Sequence, residues 1–169
     1  MNILSVEYIR NRLDYNPETG EFFWKETSSR KIRPGARAGS VKERGVTAIC
    51  IDRTMLKAHR LAWAHYYGVW PTKRLDHIDG NSANNAIANL RECTMSQNLG
   101  NAKKRADNTS GYKGVYRSNY RKHQNKPWTA EIRIDGKKRH IGRYKTPADA
   151  HVAYLTAAKK LFGEFARAG

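Results

Sequence analysis

The chain has 169 residues, with 32 Lys and Arg against 15 Asp and Glu, a formal net charge of +17 and a pI of about 10.1. So basic a chain points to a polyanionic partner and away from ordinary metabolites. No apolar run is long enough to span a bilayer, the first residues meet charge too early for a secretory signal, and Cys50 and Cys93 alone exclude a disulfide framework or a four-cysteine zinc site. The expectation is a cytoplasmic protein with no membrane partner and with both thiols buried.

Residues 1 to about 57 contain "DYNPETGEFFWK", in which Asn16-Pro17 and Gly20 mark a turn before the aromatic run Phe22, Phe23 and Trp24. "GVTAICIDR", rich in β-branched residues, predicts a strand, and "RPGARAGS" before it predicts a loop; together they suggest a small β-sheet. "AHRLAWAHYYG" predicts a short helix ended by Gly68, and Trp70-Pro71 forces an extended exit.

The stretch "LDHIDGNSANNAIANLRECTMSQN", Leu75 to Asn98, sets two carboxylates around a histidine and follows them with a run of asparagines. "LDHI" reads as a strand, "GNSANNAIA" as a loop and "NLREC" as the returning strand. Thr94 with Gln97 three residues on is a capping-box pattern, which puts Asn98 in the first turn of a helix. The result is a β-β-α unit in which Asp76, His77, Asn89 and Asn98 are expected to converge, although period-two alternation sends Asp76 and His77 to opposite sides of a regular strand. Phosphodiester cleavage needs a base to activate water, a hard cation to neutralise phosphate and a scaffold for both, and this stretch supplies each type of group. Asp79 reads as a turn residue, and Asn81, Asn84 and Asn85 as loop formers.

"NAKKRADNTSG" is polar and basic and reads as a linker. Beyond it, "YKGVYR", "PWTAEIRI" and "KRHIGRY" predict three strands, with Asp135-Gly136 as the turn of a hairpin. A closing helix is expected from Thr146 as N-cap, Pro147 at the first position and Asp149 at the positive end of the dipole. Ala150, Tyr154, Ala157, Ala158 and Leu161 are its candidate core residues.

The pattern Asp-His-Ile-Asp-Gly-Asn, then Asn-Asn, Asn-Leu-Arg, Thr and a final Asn resembles the HNH endonucleases, specifically the homing branch common in bacteriophages, in which the last His is replaced by Asn. The resemblance implies that His77 is the general base, that Asp76 and Asn98 are protein ligands of Mg²⁺ or Mn²⁺, and that Asn89 holds the histidine strand and loop in place. His59, in the preceding "HRLAW", is a possible neighbour supporting this group. Residues Gly111 to Gly163 resemble the AP2 DNA-binding domain, which implies double-stranded DNA as partner and Lys113, Tyr116, Glu131, Arg133, Lys138 and Arg143 as DNA contacts. Tyr116 and His140 depart from residues common in the plant members, so no target sequence is carried over.

The expected architecture is therefore α+β. A small N-terminal sheet and a ββα-metal unit at about 74–103 form a nuclease domain over 1–103, followed by a basic linker at 104–110. An AP2-like three-stranded antiparallel sheet packed on one helix occupies 111–169. The expected activity is site-specific, metal-dependent nicking of DNA by a monomer, in the cytoplasm of the host cell if the gene is a phage's. A DNA-binding regulator with an inactive HNH fold is the competing reading, and a structured-RNA binder the third.

Overall fold

A computed structural model of the chain describes residues 4–26, 32–42, 45–120 and 123–168. The chain falls into two units, Met1–Cys93 and Thr94–Gly169, each with its own packing.

The first unit starts with a helix that the sequence reading did not anticipate, α1 (Val6–Arg12), capped by the Ser5 hydroxyl, which accepts from the Tyr8 N–H. Its signals are local: a Ser cap, Glu7 in the first turn, and Ile9 and Leu13 spaced to bury one face. The chain then enters β1 (Leu13–Tyr15), β2 (Phe22–Trp24) and β3 (Arg37–Ala38), an antiparallel sheet in that order. A second antiparallel sheet follows, β4 (Ser40–Val41), β5 (Thr47–Ile51) and β6 (Thr54–Lys57). "RPGARAGS" is thus not all loop. It contributes β3 and β4 on either side of Gly39, at φ +103°, where an added Cβ would lie 3.0 Å from Ile49 Cγ1.

In β5, Ile49 and Ile51 turn inward and Cys50 outward, so Cys50 is exposed while Cys93 is buried. Strand alternation overrides the general tendency of free cysteines to be buried. Helix α2 (Ala58–Tyr67) ends at Gly68 in the left-handed conformation, φ 76°, as expected from that glycine. It buries Ala58, Leu61 and Ala62 in a core shared with Ile9, Leu13, Phe22, Ile49, Ile51 and Leu90. Strands β7 (Arg74–His77) and β8 (Leu90–Cys93) close the unit as an antiparallel pair.

The second unit begins with α3 (Met95–Asn101), whose capping box has both reciprocal bonds in place: Gln97 N–H to the Thr94 hydroxyl and Thr94 N–H to the Gln97 side chain. An antiparallel sheet follows, β9 (Val115–Arg117), β10 (Trp128–Ile134) and β11 (Lys137–Tyr144), with β10 in the middle. Asp135 and Gly136 both take positive φ, 48° and 77°, in the two-residue turn between β10 and β11. Helix α4 (Pro147–Phe162) packs on the sheet through Ala150, Tyr154, Ala158 and Phe162. Leu161, expected in this core, is 45% exposed; the buried stripe advances by four residues at each step and reaches Phe162 instead. Gly114, at φ +72°, lets the Tyr154 ring lie against the backbone, where a Cβ would meet it at 2.2 Å. The stretch read as a linker is tied down at its end: Asn108 Nδ2 donates to the Tyr112 carbonyl at 2.9 Å and Ser110 Oγ to the Val115 carbonyl at 2.7 Å.

Candidate active site

Strands β7 and β8 pair Asp76 with Arg91 and His77 with Leu90. Asp76 is only 5% exposed, a costly position for a carboxylate without a partner. Arg91 reaches across the ladder to it, Nε to Oδ2 at 3.1 Å. Alternation sends His77 to the other side of the strand, where its Nε2 faces Asn85 Oδ1 at 3.3 Å.

The His59 ring meets His77 edge to face at 5.2 Å between centroids. Burial first, and then the proximity of His77, Lys57 and Arg60, pushes the His59 pKa down to about 4. His59 is therefore a neutral wall beside His77 at physiological pH. Its Nδ1 is buried and makes no hydrogen bond among the described residues.

The loop between the strands is held by its own asparagines. Asn89 ends a short 3-10 turn, Ile87–Asn89, just before β8. Its Oδ1 accepts from the Asp79 N–H at 3.0 Å, while Nδ2 donates to Asp79 Oδ1 at 3.0 Å and to the Asn84 carbonyl at 2.8 Å. Asn84 Nδ2 donates to the other Asp79 oxygen at 2.8 Å. Burial of Asp79 acts to raise its pKa, but hydrogen bonds from the Asn81 N–H and the Asn84 and Asn89 amides, together with His77, hold it below the usual carboxylate range. Asp79 is thus the hub of the loop, consistent with its reading as a turn residue. Asn85 departs from the loop-former reading: the residue is 2% exposed and its side-chain oxygen faces His77.

Asn98 is the fourth residue of α3 and belongs to the second unit, whereas Asp76, His77, Asn89 and His59 belong to the first. Helix α3 is anchored within its own unit. Lys113 Nζ donates to the Gly100 carbonyl at 2.6 Å, the Arg167 N–H donates to the same carbonyl at 3.2 Å, and Ser96 Oγ donates to Asp135 Oδ1 at 2.7 Å.

The sheet of the second unit has one face on α4, marked by buried Val115, Ala130 and Ile132. Strand register puts the alternate residues on the opposite face: Tyr116 and Arg143 flank Thr129, His140 pairs with Glu131, and Lys138 with Arg133. A bulge after Ala130 absorbs one residue of β11 without disturbing this alternation. Tyr116, Glu131, Arg133, Lys138 and Arg143 therefore share one surface, on which Lys138 and Glu131 form an ion pair at 3.2 Å. Trp128 and Tyr144 pair with each other and follow the helix-side alternation, which leaves Tyr116 as the aromatic of the outer face.

Lys113 does not join that surface. Its ammonium is taken up by the Gly100 carbonyl and, at 3.4 Å, by the Arg167 carbonyl, and burial, then Arg167, lowers its pKa to about 8. It lies just before β9, where strand alternation does not control its direction.

Residues 56–99 match the HNH endonuclease family. Over 93 residues the chain is 34% identical to Protein 3.8 of Escherichia phage T7, a match covering 55% of this chain and 73% of that protein. The chain carries an HNH endonuclease family domain. An uncharacterized HNH endonuclease of Acanthamoeba polyphaga mimivirus is 35% identical over 92 residues, 54% of this chain and 44% of that protein. The structure of the HNH homing endonuclease I-HmuI, described for DNA binding and cleavage, aligns with a TM-score of 0.43 and 23% identity over 59% of this chain and 56% of its own.

The HNH match begins at the end of β6 and runs into α3, so it includes His59, Asp76, His77, Asn89 and Asn98. The sheet of the second unit lies beyond it. Among the described residues, no helix is long and apolar enough to cross a membrane.

Proposed function

We propose that this HNH protein is a site-specific, divalent-metal-dependent DNA endonuclease of the homing type. Residues 1–103 would form the nuclease, 104–110 a basic linker and 111–169 an AP2-like module that reads the site. The observation that carries the reading is the seat of His77: the imidazole is held at one nitrogen by Asn85, and the preceding residue of the strand, Asp76, is buried and charge-matched by Arg91. A base so positioned can take a proton from the attacking water, an effect worth about 10²–10⁴ in rate. Asn89 acts at one remove, by fixing the loop after the histidine strand.

Asp76 and Asn98 are the proposed protein ligands of Mg²⁺ or Mn²⁺. Their carboxylate and amide oxygens are the donors a hard ion takes. Among the described residues there is no group of three or more His, Cys, Asp or Glu that could hold an ion; the other positions on the proposed ion would be taken by water and phosphate. When bound, such an ion neutralises charge building up on the phosphate.

On the outer sheet face, Arg133 has the chemistry for bidentate recognition of guanine, whereas Tyr116, Lys138 and Arg143 suit backbone and groove contacts. Double-stranded DNA is the proposed partner, and a monomer with a single His77 site is proposed to nick one strand.

The test uses supercoiled plasmid carrying host DNA, incubated with the protein and either Mg²⁺ or EDTA. Open circles that require the metal and are lost in His77→Ala, with DNA affinity retained, are the expected result. Direct conversion to linear DNA would overturn nicking. DNA binding without cleavage under Mg²⁺ or Mn²⁺ would favour the regulator with an inactive HNH fold.

A further inference from the structure

Asn85 connects two parts of the first unit that are far apart in sequence. On one side its Oδ1 faces His77 Nε2 at 3.3 Å. On the other, three contacts from the β1–β2 hairpin hold the backbone of residues 85–87 in place. The Tyr15 hydroxyl donates to the Asn85 carbonyl at 2.7 Å, and the Ile87 N–H donates to the Pro17 carbonyl at 2.9 Å. Gly20, at φ +74°, lies so close that an added Cβ would stand 2.3 Å from Asn85 C and from Ala86 N. Only glycine permits that approach. Tyr15 is itself packed on Phe22, 4.7 Å between ring centroids, so the hydroxyl is presented from the core of the unit.

The orientation of the Asn85 amide follows from its other bond. Its Nδ2 donates to the Ala83 carbonyl at 3.1 Å, and a carbonyl only accepts, so the oxygen is the atom left to face the ring. A ring nitrogen facing an amide oxygen carries hydrogen. In neutral His77 the proton then sits on Nε2 and the lone pair on Nδ1, the tautomer being set by the bond the other nitrogen makes.

We infer that Asn85 is a positioning residue for His77, fixing the Nε2–H tautomer so that Nδ1 is the nitrogen that receives the water proton, and that the β1–β2 hairpin is the brace that seats Asn85. The catalytic half of this inference rests on His77 being the base. The tautomer and the brace do not.

The experiment is nitrogen-15 imidazole spectroscopy of the full-length, histidine-labelled protein, with His77 assigned from a His77→Gln spectrum. The expected wild-type signature is an Nε2–H tautomer whose ring proton is slow to exchange. In Asn85→Ala that protected proton should disappear and kcat should fall about ten-fold or more, as for other residues that orient a functional imidazole, with the DNA Kd unchanged. Asn85→Asp, which keeps an acceptor oxygen against the ring, should restore the protected proton and most of kcat. Gly20→Ala should act like Asn85→Ala although it touches neither the ring nor DNA.

A wild-type Nδ1–H tautomer would overturn the inference without any variant having to fold. So would an Asn85→Ala protein with the ring proton and kcat intact. If the tautomer signatures appear as expected while His77→Ala still cleaves at the wild-type rate, the brace stands and the assignment of His77 as base falls.

Discussion

Arg91 Nε lies 3.1 Å from Asp76 Oδ2 across the β7–β8 ladder, with the two side chains 13% and 6% exposed. Two charges so withdrawn from water depend on each other, because removing one leaves the other buried and uncompensated. Arg91→Ala is expected to cost about 3 kcal/mol in urea unfolding, and Arg91→Lys less. A loss no larger than that of an exposed ion pair would show that water compensates Asp76 directly.

Asn89 makes three hydrogen bonds with its side chain, all to the loop centred on Asp79. Asn89→Ala should lower stability by about 2 kcal/mol, since net contributions of about 1 kcal/mol per bond do not add fully. Cleavage should fall with DNA affinity retained. Unfolding curves and a single-turnover assay check the two effects separately. A variant with normal stability and no activity would give Asn89 a direct chemical role instead.

Lys113 and Arg133, equivalent as charges in the sequence, are expected to behave differently. Lys113→Met removes a donor from the Gly100 and Arg167 carbonyls and should cost about 1–3 kcal/mol of stability, with little change in the salt dependence of DNA binding. Arg133→Ala should leave stability nearly intact and weaken binding. If Arg133 contacts phosphate, the log–log salt slope falls by about one; if it reads a base, discrimination falls instead. Titrations at several salt concentrations separate these outcomes. A larger salt-slope change for Lys113→Met than for Arg133→Ala would reverse the assignment.

His59 predicts a pH dependence of stability. Its folded pKa is lowered to about 4, by burial first, against about 6.5 in an unfolded chain. Between these values the unfolded state binds more protons, so stability rises with pH. The contribution is fully present above about pH 6.5 and is lost as pH falls towards 4. His65, also lowered chiefly by burial, acts with the same sign. His59→Phe should therefore flatten the acid side of the stability–pH profile, leaving the part due to His65; an unchanged slope would rule out a buried, neutral His59.

What could be read from the sequence was mostly local. Thr94 with Gln97, Gly68, Asp135-Gly136 and Thr146-Pro147 each act within a few residues, and each marks the boundary or turn it predicts. Tyr116, Glu131, Arg133, Lys138 and Arg143 were named together by the AP2 resemblance; the turn fixes the register only from Ile134–Lys137 to Glu131–His140, and the bulge after Ala130 and the pairing of β9 complete the shared face. Asn85 and Lys113 were not legible in the same way. As an amide in a run of loop asparagines, Asn85 looks like its neighbours; what distinguishes it is contact with Tyr15 and Gly20, far away in sequence. Lys113 looks like one more basic residue until the Gly100 carbonyl comes within reach. Leu161 and Phe162 are adjacent apolar residues, and only the packing of α4 on the sheet decides which one is buried.

The Ser96–Asp135 contact ties the N-terminal turn of α3 to the tip of the β10–β11 hairpin, with the Ser96 hydroxyl donating to the Asp135 carboxylate at 2.7 Å and accepting from the Asp135 N–H at 2.9 Å. Two positions farther along that helix stands Asn98. Were the hairpin to bend on the proposed DNA partner, the strain would pass through this contact to the helix that carries Asn98, much as a key's bitting turns the bolt. A truncation between α3 and the sheet would sever that contact, so a shortened protein made to isolate the nuclease is best ended beyond the hairpin, with the Ser96–Asp135 bonds kept.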